Sequence, residues 1–329
     1  MTPTQAPELT APPPASQNLW RTALLALAAY SAFNLLLPQI PPPHHAPLGV
    51  IIAVVLSSTA AFMLLQLWLA FSVVAVRPRP LVSGFGVGIC VALFAGIYAM
   101  AAPYGPNPPL MLQFLQGLMV TLGCTFLGLL LSPIIREPNV LLPVALVAMP
   151  IDYLGAMTSI GFTSQVVKNH PNIVKGISVP VPSVGASAHH GGLHPIGFIG
   201  PGDILFVAFF FAVVLRLGMN VRGTFWWIYG LLTATMLFVL SPWGFNIAAL
   251  VPMGLAVLFA NSRYFKLKRE EVFATLYAGT LIVALITGFY FYAHSHFVHA
   301  DTERITDAKP AAPSLAVPRP APGRPAANR

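Results

Sequence analysis

Polar positions are so sparse along this chain that they mark where segments end. Apolar residues run with little interruption over about 19–38, 48–76, 81–103, 109–135, 139–162, 198–219, 224–241, 245–260 and 272–293. The runs are continuous, without the in-out alternation of a membrane-barrel strand. A run of about 20 apolar residues is long enough to cross the hydrocarbon of a bilayer. In lipid the backbone must satisfy its own hydrogen bonds, so each run becomes a helix. The pattern predicts an all-α, polytopic transmembrane bundle of about nine spans. The second run is long enough to tilt or to extend past the bilayer.

The stretches between and beyond the runs set the organisation. Residues 1–18 are rich in Pro, Ala and Thr and read as a disordered tail, with no basic segment and short apolar core of a signal peptide. Residues 19–138 hold the first group of transmembrane helices, 139–271 a core that carries the candidate chemistry, and 272–299 one further helix. Residues 300–329, rich in Pro, Ala and Arg, read as a second disordered tail. The longest internal break, about 163–197, contains Lys168, Asn169, His170, Pro171 and Lys175 and then a Ser/Gly/His stretch. A loop of that length inside a compact protein is functional or disordered.

Composition agrees with lipid as the solvent. The chain of 329 residues is 56% hydrophobic and only 8% charged, against about 25% charged for a soluble domain. Its net charge of +8 does not point to nucleic acid, because the basic residues are scattered between apolar runs and along a tail, with no basic-aromatic surface. They serve topology instead. With a cytoplasmic N-terminus, the inner side carries ten: Arg21, Arg77, Arg79, Arg136, Arg216, Arg222, Arg263, Lys266, Lys268 and Arg269. The outer loops between spans carry only Lys168 and Lys175, a strong positive-inside bias. Five more basic residues in the C-terminal tail run against that count. Cys90 and Cys124 fall inside apolar runs and read as small core residues, not as a disulfide framework.

Against this background two acidic residues stand out. Of nine Asp and Glu in the chain, seven belong to tails or short loops; Asp152 lies midway along the fifth run and Asp203 near the start of the sixth. A charged group at a helix centre costs about 2.5–3.5 kcal/mol on insertion scales and marks a functional site by default. The two spans are consecutive and expected to be antiparallel, with the carboxyl groups offset in depth by roughly 8 Å at 1.5 Å per residue. A small shift in either boundary brings them together, and two carboxyls a few Å apart share a proton. Such a pair can hydrolyse a peptide bond. The ionised member takes a proton from the attacking water, and the protonated member donates to the carbonyl oxygen. The competing reading is that each Asp caps a helix or hydrogen-bonds a neighbouring span. Around the second Asp the sequence is Gly200-Pro201-Gly202-Asp203. Glycine there lets another backbone approach, and Pro201 suits the first turn of a helix.

These residues resemble the GxGD intramembrane aspartyl proteases, the presenilin and signal peptide peptidase family, and the latter more closely. The similarity covers about 148–271. Asp152 matches the family's first catalytic aspartate and Asp203, with Gly200, Pro201 and Gly202 as the active-site motif, its second. Ala248-Ala249-Leu250, followed by Val251-Pro252, is similar to the family's Pro-Ala-Leu motif near the catalytic pair. The resemblance implies a presenilin/signal peptide peptidase-like core, transmembrane-helix proteins or peptides as substrates that contact Ala248, Ala249 and Leu250, and a catalytic loop facing away from the cytosol. The chain departs from the family in Ile151 where Tyr is usual, in Ala248 where the motif has Pro, and in having four spans before the first catalytic span and one after the motif span.

The remaining features read blandly. His189, His190 and His194, with His294 and His296 on the same side, could ligate a metal, but no Cys or acidic ligand accompanies them, and a polar loop is the preferred reading. No metal, cofactor or nucleic acid is expected. Thr158 and Ser159 could donate to Asp152 or back-bond to their own helix. Trp226 and Trp227 suit the membrane interface. Two other functions fit an intramembrane Asp pair. One is a proton- or cation-coupled transporter, although no inverted repeat relates the two halves. The other is a prepilin-type peptidase, although Ile204-Leu205 follow Asp203 where those enzymes usually carry Lys. The compact length and absence of an obvious retention signal point to a prokaryotic plasma membrane.

Overall fold

The computed structural model describes residues 16–41, 47–105, 108–157, 176–184, 197–239 and 247–266, together with scattered positions between 269 and 291. It divides into a unit of residues 1–286 and a C-terminal unit of residues 287–329. In the second unit the described residues Thr287, Gly288 and Phe291 are helical. The first unit is almost entirely α-helical.

The described residues form eight continuous helices: α1 (Ser16–Leu36), α2 (Leu48–Ala75), α3 (Pro80–Ala101), α4 (Leu110–Leu131), α5 (Pro138–Met157), α6 (Pro201–Arg216), α7 (Val221–Val239) and α8 (Leu250–Asn261). Four segments, Asn18–Gln39, Gly49–Ala75, Pro80–Tyr104 and Leu110–Ile134, are helices long and apolar enough to cross a membrane. They correspond to the first four expected runs. The later segments are shorter. Helix α6 has 16 residues and α8 has 12. The sixth run begins as helix only at Pro201 and the eighth only at Leu250, later than the expected 198 and 245.

The reason lies in the residues just upstream of α6. Phe198–Ile199 are extended and pair antiparallel with Val179–Pro180, forming β1 (Val179–Pro180) and β2 (Phe198–Ile199). The N–H of Val181 continues the ladder to the Gly197 carbonyl at 2.9 Å. The long break expected at 163–197 therefore contains a short strand, β1. Val179 and Val181 are buried in a cluster with Phe114, Leu118 and Ile204, so this strand packs directly behind the residue that follows Asp203.

Helix α6 is the centre of the bundle. Residues Val207–Val214 are all buried, as expected of a helix apolar all round that neighbours enclose on every side. It packs on α4 and α2, while α3 lies on α4, α1 on α2, and α8 against both α7 and α5. Close approach of α4 and α6 depends on Gly128. A Cβ there would lie 2.7 Å from the Phe209 nitrogen and 2.8 Å from the Leu205 carbonyl oxygen.

One end of the bundle, rich in basic residues, is tied by polar side chains. Gly218, at φ +65°, closes α6 with a left-handed cap in which the Met219 N–H reaches the Val214 carbonyl. The Leu215 carbonyl accepts from Arg77 Nη2 at 2.9 Å. Asn261, fully buried, accepts from the Asn220 N–H and donates to Thr224 Oγ1 and the Val257 carbonyl. Asn139 and Lys266 exchange two hydrogen bonds that join the start of α5 to the chain beyond α8. Replacing Asn261 by alanine strips the Asn220 N–H of its partner, at a cost of about 1–3 kcal/mol. The expected result is a clearly lower thermal midpoint in detergent, and an unchanged midpoint would contradict the role given to this network.

Cys90 on α3 and Cys124 on α4 are both free thiols. Trp226 and Trp227 on α7 are about half exposed, and Trp227 lies against Phe259 of α8. The stretch from His189 to His194, His294, His296, Thr158 and Ser159 lie outside the described residues. Among the described residues no group of His, Cys, Asp and Glu is arranged to hold a metal ion.

Candidate active site

Helix α5 carries Asp152 in a segment that begins with Pro138 and contains Pro143 and Pro150. A proline inside a helix removes one N–H from the ladder and crowds the carbonyl four residues earlier. The half-buried Asp152 carboxylate leaves its own helix to find a donor. Its Oδ2 accepts the backbone N–H of Leu250 at 3.0 Å, from a residue 98 positions further along the chain. Leu250 is the first residue of α8, which has no capping side chain of its own at Ala249. Asp152 thus supplies an acceptor and a negative charge where a helix presents unpaired N–H groups and the positive end of its dipole.

Asp203 sits at the third position of α6, behind Gly200 as cap and Pro201 as first residue. Proline is tolerated there because the first N–H groups of a helix have no partner within it. The Asp203 Oδ2 accepts the Gly200 N–H at 3.3 Å. A Cβ on Gly200 would come within 3.3 Å of the same oxygen, so glycine at this position keeps room for the carboxylate. Gly202 has no atom within 4 Å of where its Cβ would stand, and its surface is open.

The two aspartates belong to the same region of the bundle but bond to different helix starts, Asp152 to that of α8 and Asp203 to that of its own α6. Asp152 lies within electrostatic reach of Asp203. Depth follows from the tied end of the bundle, where Asn261 meets Asn220. From that end Leu250, and with it Asp152, is 11 residues up α8, about 17 Å. Asp203 is 13 residues up α6 from Arg216, about 20 Å. Counted from that end the two levels differ by about 3 Å, less than the expected 8 Å, because the contact of Asp152 with Leu250 sets its level.

A cavity of about 660 Å³ opens beside Asp152. One stripe of α5 from Pro143 to Gly155 forms its wall, including Ala148, Ile151 and Asp152. Gly202 and Phe206, which flank Asp203 on α6, and Leu250 of α8 complete it. The lining is apolar apart from the carboxylate. It is a place where an apolar segment can lie against one acidic group and the glycine backbone beside the other.

Of the Ala248-Ala249-Leu250 motif, Leu250 reaches the cavity and also bonds Asp152, whereas Ala248 is buried and Ala249 packs against the central core. Pro252 occupies the third position of α8, where a proline costs little. Two parts of the site escaped sequence reasoning. The Leu250 donor is a backbone group, to which no residue type points. The α5 stripe could have been found, since residues 144, 148, 151 and 155 share the helical face of Asp152 at spacings of three and four.

No family model, curated protein or solved structure matches this chain.

Proposed function

We propose that the chain is an intramembrane aspartyl protease of the presenilin and signal peptide peptidase kind, cutting transmembrane segments of other membrane proteins with Asp152 and Asp203. The observation that carries this reading is an apolar cavity in a membrane-type bundle, lined by Asp152 on one helix and, on another, by Gly202 and Phe206 on either side of Asp203. Both carboxylates also serve helix ends, and a purely structural pair is the competing reading. It leaves the open cavity against Asp152 and Gly202 without a purpose, whereas hydrolysis requires it.

In the proposed reaction a substrate segment lies unwound in the cavity. A water between the carboxyls loses a proton to the ionised member as its oxygen bonds to the peptide carbon. The protonated member gives its proton to the carbonyl oxygen, which offsets the charge developing there. In the collapse of the tetrahedral adduct the amide nitrogen gains a proton and the C–N bond breaks. A new carboxyl and a new amino end result, and the pair again holds one proton. The Leu250 N–H holds Asp152 through Oδ2.

The rest of the reading follows the sequence: about nine spans, a cytoplasmic N-terminus, the Asp-bearing ends on the outer side, and a prokaryotic plasma membrane. The test is reconstitution. Purified protein in liposomes with a tagged transmembrane reporter should yield fragments whose masses place the cut inside the apolar segment. A panel of such reporters left intact, with proton or cation flux across the same liposomes, would replace the protease by a transporter.

A further inference from the structure

Two contacts hold α5 to α8 near the site, one helical turn apart. The first is the Asp152–Leu250 hydrogen bond. The second lies three residues back along α5 and four residues on along α8, where buried Met149 covers Gly254. The helices run in opposite directions, so these steps keep the contacts side by side. The second contact is close. A Cβ on Gly254 would stand 2.9 Å from Met149 Cγ, 3.0 Å from its Sδ and 3.2 Å from its Cε. Cγ is the second atom out from the backbone and moves only by a change of χ1, for which a helix leaves few alternatives. A side chain at position 254 therefore presses on Met149 and, through it, on α5. The hydrogen bond one turn away has little slack, since N–H···O bonds span only about 2.7–3.2 Å.

We propose that Met149 and Gly254 act as a spacer that sets the α5–α8 distance and so seats the Asp152 carboxylate on the Leu250 N–H. The consequence for catalysis rests on the protease reading above; the seating itself does not. Met149 and Gly254 are positioning residues, and the variants Gly254→Ala, Met149→Ala and the double variant separate this role from general stability. In Gly254→Ala the added Cβ displaces α5. The turnover rate falls on the order of 10²-fold, the loss that about 1 Å of misplacement produces, with KM little changed. In the double variant Cγ, Sδ and Cε are gone, the Cβ of residue 254 has room, and turnover returns to within several-fold of wild type. Removing Met149 leaves a cavity and lowers the melting temperature. Turnover is compared well below the melting temperature of every variant, so that loss in Gly254→Ala and recovery in the double variant are read on fully folded protein and not through stability.

Hydrogen exchange at the Leu250 amide reads the seating without reference to catalysis. Exchange should quicken in Gly254→Ala and slow again in the double variant. Unchanged exchange in Gly254→Ala, or a double variant with exchange as fast as the single, overturns the spacer. The expected exchange pattern in a wild-type protein that cuts no reporter upholds the spacer and overturns the protease reading.

Discussion

Changing Asp203 to asparagine should abolish the proposed cleavage while leaving the helix start intact. Asparagine keeps the shape of the side chain and still offers an oxygen to the Gly200 N–H, the bond that Asp203 makes at 3.3 Å. Alanine would instead leave the Gly200 N–H without this acceptor, at a cost of about 1–3 kcal/mol if it stays buried. The amide cannot take or give the proton that hydrolysis moves. The expected loss in turnover is at least about 10²–10⁴-fold, the range of general acid–base catalysis. Asp152→Asn behaves in the same way, since its amide oxygen can still accept the Leu250 N–H. Fragment yield and the thermal midpoint, measured on the same preparations, check both variants. Full cleavage by either one would leave the aspartates as helix caps and nothing more. The alanine variants are the poorer experiment, because they remove a cap and a reacting group together.

Gly128 on α4 gives the second large effect. Its missing Cβ is what lets α4 rest on the α6 backbone at Leu205 and Phe209, two and six residues beyond Asp203. Backbone atoms cannot rotate out of the way, so Gly128→Ala must shift one helix against the other. Overpacking of this kind costs about 1–3 kcal/mol. Because Asp203 rides on α6, a shift approaching 1 Å should also lower cleavage by about 10²-fold. Gly128→Leu should fail to accumulate as a folded protein. Gly117→Ala on the same helix is the control: its Cβ would meet Val179 at an ordinary 3.5 Å, and cleavage should stay near wild type. Activity of Gly128→Ala equal to that control would show that α6 does not depend on this contact for its place.

Sequence reading served best where a single physical rule dominates. Helices α1 to α4 follow uninterrupted apolar runs, and their ends fall within a few residues of where polar residues and prolines appear. Beyond α4 local pattern competes with long-range contacts. The run expected from 198 becomes a strand and then a helix because β2 finds a partner in Val179–Pro180, and that partner is held by Gly117 of α4. Nothing near residue 198 encodes this. The aspartates were legible because a charge in an apolar run is conspicuous. Their shared level was not, because it is fixed by a backbone N–H of α8 and by Asn261 at the far end. The Ala-Ala-Leu segment was legible as a place but not in its division of labour, in which Leu250 faces the cavity and Ala248 faces the core.

The unequal ends of α5 make it a lever. Its fulcrum is the paired bond between Asn139 and Lys266, and its arm, the 13 residues from Asn139 to Asp152, is about 20 Å long. A tilt of about 5° around that fulcrum swings the carboxyl group by roughly 1.7 Å on an arm of that length. A rotation that small at the foot would already exceed the slack of the Asp152–Leu250 bond, so in the proposed enzyme the contacts of the tip with α8, and not the foot, would keep Asp152 in register.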